Sequence, residues 1–338
     1  MSDASGSPRL DLGPLAAAAR RSLNGDNPGE VGTRLPPLVD HHVHLMLVGV
    51  GAFAGSGLSG VVDLGAPLPV VAAARGIGMP RVDFAGWFLT APGGYPTGRP
   101  WAVEGCVREV AAETGEERWT LAHPAETAVS ELHSFGASVV KVALNLDAGP
   151  VFDRPTLDAI VAAAHERGLP VVAHVEGDGM TRLAVEAGVD VLAHTPFTEA
   201  VDDDLVARAA AAGQRWISTL HIHGHGAPSD DLERAVDNLR RFRAAGGRVL
   251  YGTDLGNGDQ PVGVNAGELA ALARAGLGAS ELLAALADPW PRDERVDAVA
   301  TFVPGPPPER LDDVPAWLAA AVVVPAEELD PVDDSAAA

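Results

Sequence analysis

From Ser138 onward the chain repeats one pattern, and that pattern restricts its fold more than any other feature. Short apolar runs rich in β-branched residues occur at 138–144, 170–174, 191–194, 215–220 and 248–254. Between them lie segments with helical periodicity, at 154–167, 179–187, 203–212 and 230–245. A strand that is always followed by a helix cannot pair with its successor through a tight hairpin. It pairs in parallel, with the helices packed outside. Earlier runs at 38–45, 60–64 and 81–89 bring the strands to eight. Eight such units over roughly 250 residues predict a closed (β/α)8 TIM barrel. The competing open, doubly wound sheet lacks support, because no Gly-x-Gly-x-x-Gly turn follows the first strand.

The flanks read differently. Residues 1–35 are rich in Gly, Pro, Ser and Asp, with one helical patch at 15–20, and are expected to be a loosely ordered lead-in. The barrel is expected over 36–297, with further helices at 70–75, 104–114, 124–135 and 266–286 and a loop at 90–98. Residues 298–338 form a small C-terminal extension. Its two candidate strands, near 298–303 and 319–324, flank a Pro-rich turn, and a disordered tail begins at Asp330.

Composition narrows the function. Apolar residues make up 47% of the 338, enough for a substantial core, and 46 acidic residues against 24 basic ones give a net charge of −22. Such a surface repels phosphate backbones and anionic lipid, so neither nucleic acid nor membrane is an expected partner. The single cysteine, Cys106, excludes an internal disulfide and a thiolate metal cluster and reads as an inert helical residue. Residues 1–15 lack a basic region followed by an apolar run, and the apolar stretch at 317–324 is too short to span a bilayer. The expectation is a cytoplasmic protein acting on a small molecule, with a homo-oligomer compatible.

The chemistry begins at Leu38-Val39-Asp40-His41-His42-Val43-His44-Leu45. Strand alternation puts Asp40, His42 and His44 on one face and Val39, His41 and Val43 on the other. Two imidazoles side by side make half of a metal site. Lys141, His174, His194 and Asp254 punctuate the later strands, before or at their C-terminal ends. In a parallel barrel those ends converge on one rim, where a metal would offset the cost of burying them.

Six such residues in this order resemble the amidohydrolase superfamily, over roughly residues 36–290. That family carries His-x-His on strand one, Lys on strand four, His on strands five and six, and Asp on strand eight. Here these are His42, His44, Lys141, His174, His194 and Asp254. The segments Pro37 to His44 and Gly252-Thr253-Asp254 also resemble the family's motifs, as does Ala162 to Gly168 before strand five. The resemblance implies a metal-dependent hydrolase of a C–N amide bond. Lys141, carbamylated by carbon dioxide, would bridge two divalent metal ions. His42 and His44 with Asp254 would hold one of them, and His174 and His194 the other. Asp254 would act as general base and acid toward a metal-bridging hydroxide. Zinc suits the imidazole-rich set, and manganese or iron also fits. Most relatives carry a β-sandwich domain, which the short N-terminal segment makes vestigial here.

The lysine and the Gly-Gly-Tyr-Pro loop resemble prolidase-like members, so an N-acyl amino acid or dipeptide-like substrate is expected. A cyclic amide, lactone or phosphotriester is the alternative, and a non-catalytic metal-binding barrel the alternative of another class. Tyr95 in that loop, and His221 and His223 after strand seven, are the candidate substrate contacts, with His221 favoured as nearest the strand end.

Overall fold

In the computed structural model, residues 10–75, 80–112, 123–294 and 297–332 are described. The chain opens with β1 (Ala17–Arg21) and β2 (Val31–Leu35). The first parallel strands follow: β3 (Val39–Val43), β4 (Gly60–Asp63) and β5 (Arg81–Phe84), with α1 (Leu45–Val48) and α2 (Leu68–Ala74) between them. Next come β6 (Phe88–Thr90), β7 (Val107–Glu109), α3 (Pro124–Ser134) and β8 (Val140–Asn145). From there strand and helix alternate: α4 (Arg154–His165), β9 (Val171–Glu176), α5 (Met180–Glu186), β10 (Val191–Leu192), α6 (Asp203–Ala211), β11 (Arg215–Ile217), α7 (Asp230–Ala244) and β12 (Arg248–Leu250). The chain finishes with α8 (Ala266–Arg274), α9 (Ala279–Leu286), β13 (Val299–Pro304), α10 (Val314–Ala319), β14 (Val322–Pro325) and β15 (Leu329–Pro331). No helix among the described residues is long and apolar enough to cross a membrane.

Local chemistry explains the helices. Asp153, Asp202 and Ser229 accept the N–H three residues on and so start α4, α6 and α7. Helix α7 buries Leu232, Ala235, Val236, Leu239 and Phe242, a stripe at helical spacing. Phe242 stacks on Trp216 of β11 with ring centres 4.0 Å apart, which docks the helix on its strand.

The parallel strands form two sheets rather than one continuous ladder. One has the order β3-β4-β5 and the other β12-β11-β10-β9-β8-β6-β7. The break falls inside the run expected as one third strand at 81–89. Gly86, with φ of 78°, turns the chain there, so β5 pairs with β4 while β6 pairs with β8. At the other end, backbone bonds from His41 to Tyr251 and between His42, His44 and Leu255 tie β3 to the segment after β12. One buried cluster draws Val39, Val62, Val139, Val172, Val191, Ile217 and Leu250 from or beside β3, β4 and β8 to β12 and includes Trp290. A second, larger core fills the space between sheets and helices.

Five expectations about the flanks and helices are corrected. The segment read as a loose lead-in supplies β1 and β2 to a five-stranded antiparallel sheet, order β14-β13-β2-β1-β15. Residues 17–20 of the patch read as helical lie in β1, and Asp330, read as the start of a disordered tail, pairs with Arg20. Tertiary pairing overrides the helical preference of the Ala run, because a strand from the distant C-terminal extension lies beside it. The helix expected at 104–114 is absent over its described residues, 104–112, which contain β7; Cys106 is buried just before that strand, and 113–114 lie outside the described residues. The helix expected at 266–286 is two, α8 and α9, broken where Gly276 takes a φ of 98°.

At Gly32 of β2 this antiparallel sheet leaves no room for a Cβ. A methyl group there would run into the Val303 carbonyl oxygen and come within 2.6 Å of Phe302 Cζ. Gly32→Ala is therefore expected to lower stability by about 1–3 kcal/mol. Thermal unfolding checks this, and an unchanged Tm would mean that β2 does not pair with β13.

Candidate metal centre

His42 and His44 leave the C-terminal end of β3, and Asp254 follows β12. Their side chains meet: His42 Nε2 is 3.2 Å and His44 Nε2 3.1 Å from the same oxygen, Asp254 Oδ1. Ligand atoms of these three residues all lie within 4.8 Å of one another, and all three residues are buried. Yet His42 Nε2 and Asp254 Oδ1 are buried without a hydrogen-bond partner. Groups packed this closely but out of hydrogen-bond alignment are aimed at a common point rather than at each other.

Backbone carbonyls fix which ring nitrogen faces that point. His42 Nδ1 lies 2.9 Å from the Ala193 carbonyl and His44 Nδ1 3.1 Å from that of Gly65. A nitrogen next to a carbonyl must donate, so each ring carries its proton on Nδ1 and presents the Nε2 lone pair. These residues therefore fit a divalent metal ion.

The remaining expected ligands surround this trio. The His194 ring lies 4.7 Å from that of His42 and 5.0 Å from that of His174. His194 Nδ1 is held 2.9 Å from Thr219 Oγ1. Lys141, 1% exposed, sits opposite Phe88 in the β6–β8 register, its ammonium nitrogen 5.8 Å from the ring centre. His174 is less free: its Nε2 is 3.1 Å from Glu176 Oε2, two residues along the same face of β9. Glu176 is the register partner of Asn145 on β8, whose amide donates to it at 2.6 Å.

Burial sets the charges. It pushes the Lys141 amine down to about 7, against the pull of Asp254 and Asp63. It likewise keeps His42 and His194 neutral, well below the usual imidazole range. Burial also opposes ionisation of Asp254, but His42, His44 and His194 outweigh it and hold that carboxyl well below the usual range. His44 is the exception among the rings: burial lowers it, and contact with Asp254 more than restores it.

Strict alternation misses two details. Strand β3 carries a bulge between Asp40 and Val43, so Val39 joins the interior cluster while His42 and His44 face the site. Asp40, expected on the same face, instead turns to the last strand. It accepts from Thr253 Oγ1 at 2.6 Å and from the backbone N–H of Thr253 and His42. His194 shares parity with Leu192, which packs toward the helices. It reaches the site because β10 ends at Leu192 and the chain bends. Thr219 and Asp254 both have positive φ, 42° and 55°, a strained choice for residues with a Cβ.

Together these side chains form the floor of a cavity of about 510 Å³, whose wall includes Tyr95 and His223 but not His221. Of the two histidines singled out after strand seven, the favoured one is the one turned away. Both oxygens of buried Glu268 accept from the backbone N–H groups of Leu220 and His221, anchoring that segment to α8. Glu176, Trp101 and Thr219 escaped the sequence reading. Only Glu176 left a signal there, as the same-face neighbour of His174.

No protein-family model matches the chain, and no curated protein sequence does. Solved structures do match its fold. A Xaa-Pro dipeptidase with bound methionine has a TM-score of 0.65 at 21% identity, covering 88% of this chain and 87% of that one. The A. niger ochratoxinase has 0.66 at 20%, covering 88% and 83%. Phenylurea hydrolase B has 0.62 at 18%, covering 90% and 86%. The chain has the fold of amidohydrolase-type enzymes.

Burial raises the Glu268 carboxyl to about 7, against the hydrogen bonds it accepts. A carboxyl raised on folding stabilises the native state below its unfolded value of 4.5, and that contribution is lost as pH rises through about 7. Glu268→Gln removes the titration, so its Tm is expected to fall less than that of the wild type across this window. Parallel Tm curves for the two proteins would disprove the assignment.

Proposed function

We propose that the chain is a metal-dependent hydrolase that cleaves a C–N amide bond of a small molecule. The observation that carries this reading is the trio around Asp254 Oδ1, with both histidine Nε2 atoms turned toward it and both Nδ1 atoms tied to backbone carbonyls. Structures of similar fold include proteins named as a dipeptidase, an ochratoxinase and a phenylurea hydrolase, which accords with C–N bond hydrolysis. In the proposed architecture the two parallel sheets work as one (β/α)8 barrel. The interior cluster and the backbone bonds from β3 to the segment after β12 support this.

His42, His44 and Asp254 would hold one divalent ion, and His174 and His194 the other, with Lys141 between. Zinc is the ion proposed. Bound there, the metal supplies a water acid enough to react near neutral pH and polarises the substrate carbonyl. Lys141 suits a bridging role through its amine. Burial lowers the pKa of the amine and so favours its neutral form, and a neutral amine adds to carbon dioxide. The nitrogen lone pair forms the N–C bond as one carbon–oxygen π bond of carbon dioxide opens, and the nitrogen's proton passes to water, leaving an anionic carbamate. An ammonium would instead repel the cations.

Asp254 is suited to the proton transfers. Its carboxyl stays ionised, and Oδ2 is oriented by Asn257 Nδ2 at 2.9 Å. It can take a proton from the attacking water at Oδ1 and pass it to the leaving nitrogen. Thr219 would keep His194 in the orientation that turns its other nitrogen to the site.

Metal content is the first test. Elemental analysis is expected to give about two ions per chain in wild type supplied with bicarbonate, falling in Lys141→Ala. Asp254→Asn is expected to lower kcat at least about 100-fold on any amide the protein hydrolyses. A chain that binds no metal after reconstitution would overturn the reading.

A further inference from the structure

The expected N-acyl amino acid or dipeptide carries a free carboxylate, and the cavity above the metal centre is poorly made for one. Its walls are aromatic. Trp101 packs edge-on against both Phe88 and Tyr95 at 5.9 Å, and Tyr95 stacks on His174 at 5.1 Å. On another flank Phe197 covers His223 at 4.2 Å. Beyond Lys141 and Asp254 on the floor, the charged side chain lining the cavity is Glu176, and no arginine lines it among the described residues. The Glu176 carboxylate is held in place by Asn145 at 2.6 Å and His174 at 3.1 Å. Above the metal-binding floor, a carboxylate on the group flanking the amide would lose water, face the Glu176 carboxylate and meet no arginine or lysine side chain among the described wall residues.

Two polar groups of the wall, Tyr95 and His223, are neutral. Burial pushes the Tyr95 hydroxyl up, so it stays a donor. His223 Nε2 is buried without a hydrogen-bond partner, and burial takes that imidazole down to about 4. Neutral donors and acceptors among aromatic rings match a neutral carbonyl or N–H flanked by a planar group. Arg99 comes nearest to an exception. Its guanidinium lies 5.7 Å from the Tyr95 ring centre, but the side chain is exposed and outside the lining.

We infer that the cavity accepts amides, carbamates or ureas whose flanking groups are uncharged and aromatic, and disfavours substrates bearing a free carboxylate. This rests on the hydrolase reading and narrows it.

The test uses matched probes on the full chain reconstituted with zinc: acetanilide against para-acetamidobenzoate, and phenylurea against para-ureidobenzoate. Calorimetry measures binding of the intact pairs and of aniline against para-aminobenzoate, and turnover is followed separately. The neutral member is expected to bind about tenfold more tightly or better, a difference of about 1.4 kcal/mol. Where turnover occurs, the difference is expected in KM. Glu176→Gln is expected to narrow the gap by improving binding of the carboxylates. Equal binding of the two members would overturn the inference. So would a preference for the carboxylates, and its loss in Arg99→Ala would assign recognition to the mouth instead. A neutral preference in binding without turnover of any probe would uphold the inference and count against the hydrolase reading beneath it. Binding thus decides one and turnover the other.

Discussion

The contact between Asp40 and Thr253 joins the two ends of the parallel run, and the site depends on it. Asp40 belongs to the first parallel strand and Thr253 follows the last, 213 residues later. The carboxyl is fully buried and accepts from the Thr253 hydroxyl, the Thr253 backbone and the His42 backbone. Burial lifts its pKa to about 7 against those bonds. Such a group is costly to bury unless its partners are fixed, so the same bonds that satisfy it also hold the ends of the run in register. Asp254 stands one residue beyond Thr253, and His42 two residues beyond Asp40, across the bulge. The contact therefore sets the distance across which they meet.

Around that clasp, charge is compensated in layers. Asp254 is ionised because three imidazoles surround it, and those imidazoles are oriented by groups that belong to the backbone or to neutral side chains. Below them, Asp63 accepts from the N–H groups of Leu45 and Gly65, holding the turn that leaves His44. Strain collects in the same place, at Thr219 and Asp254, where the chain bends just past its strand ends. A site built from residues beyond the regular ladder needs such turns, because an ideal strand carries every second side chain away from the centre.

Much of the site was legible in the sequence because its residues sit at the ends of strands that announce themselves. The runs that carry or lead to Lys141, His174, His194 and Asp254 are apolar, β-branched and spaced by helices of ordinary length. Six polar residues at such ends are hard to explain as an accident of composition. The cavity wall was not legible. Trp101 lies in a segment with no periodicity, and Thr219 looks like any strand-end threonine. His221 and His223 are indistinguishable in sequence. Only the anchoring of residues 220–221 by Glu268 turns one toward the cavity and leaves the other outside it.

The sequence by itself determined that strands and helices alternate, that the strands pair in parallel, and which side chains stand at their ends. Those properties follow from periodicity over a few residues, which a chain carries wherever it goes. Tertiary structure decided where the parallel ladder breaks, that the N-terminal segment becomes two strands beside the C-terminal extension, and which nitrogen of each histidine faces the centre. These depend on partners distant in sequence: β13 and β15 for the first segment, the Ala193 and Gly65 carbonyls for the histidines. A backbone group satisfied by a remote neighbour leaves no local trace, and so it could be seen only once the chain had folded.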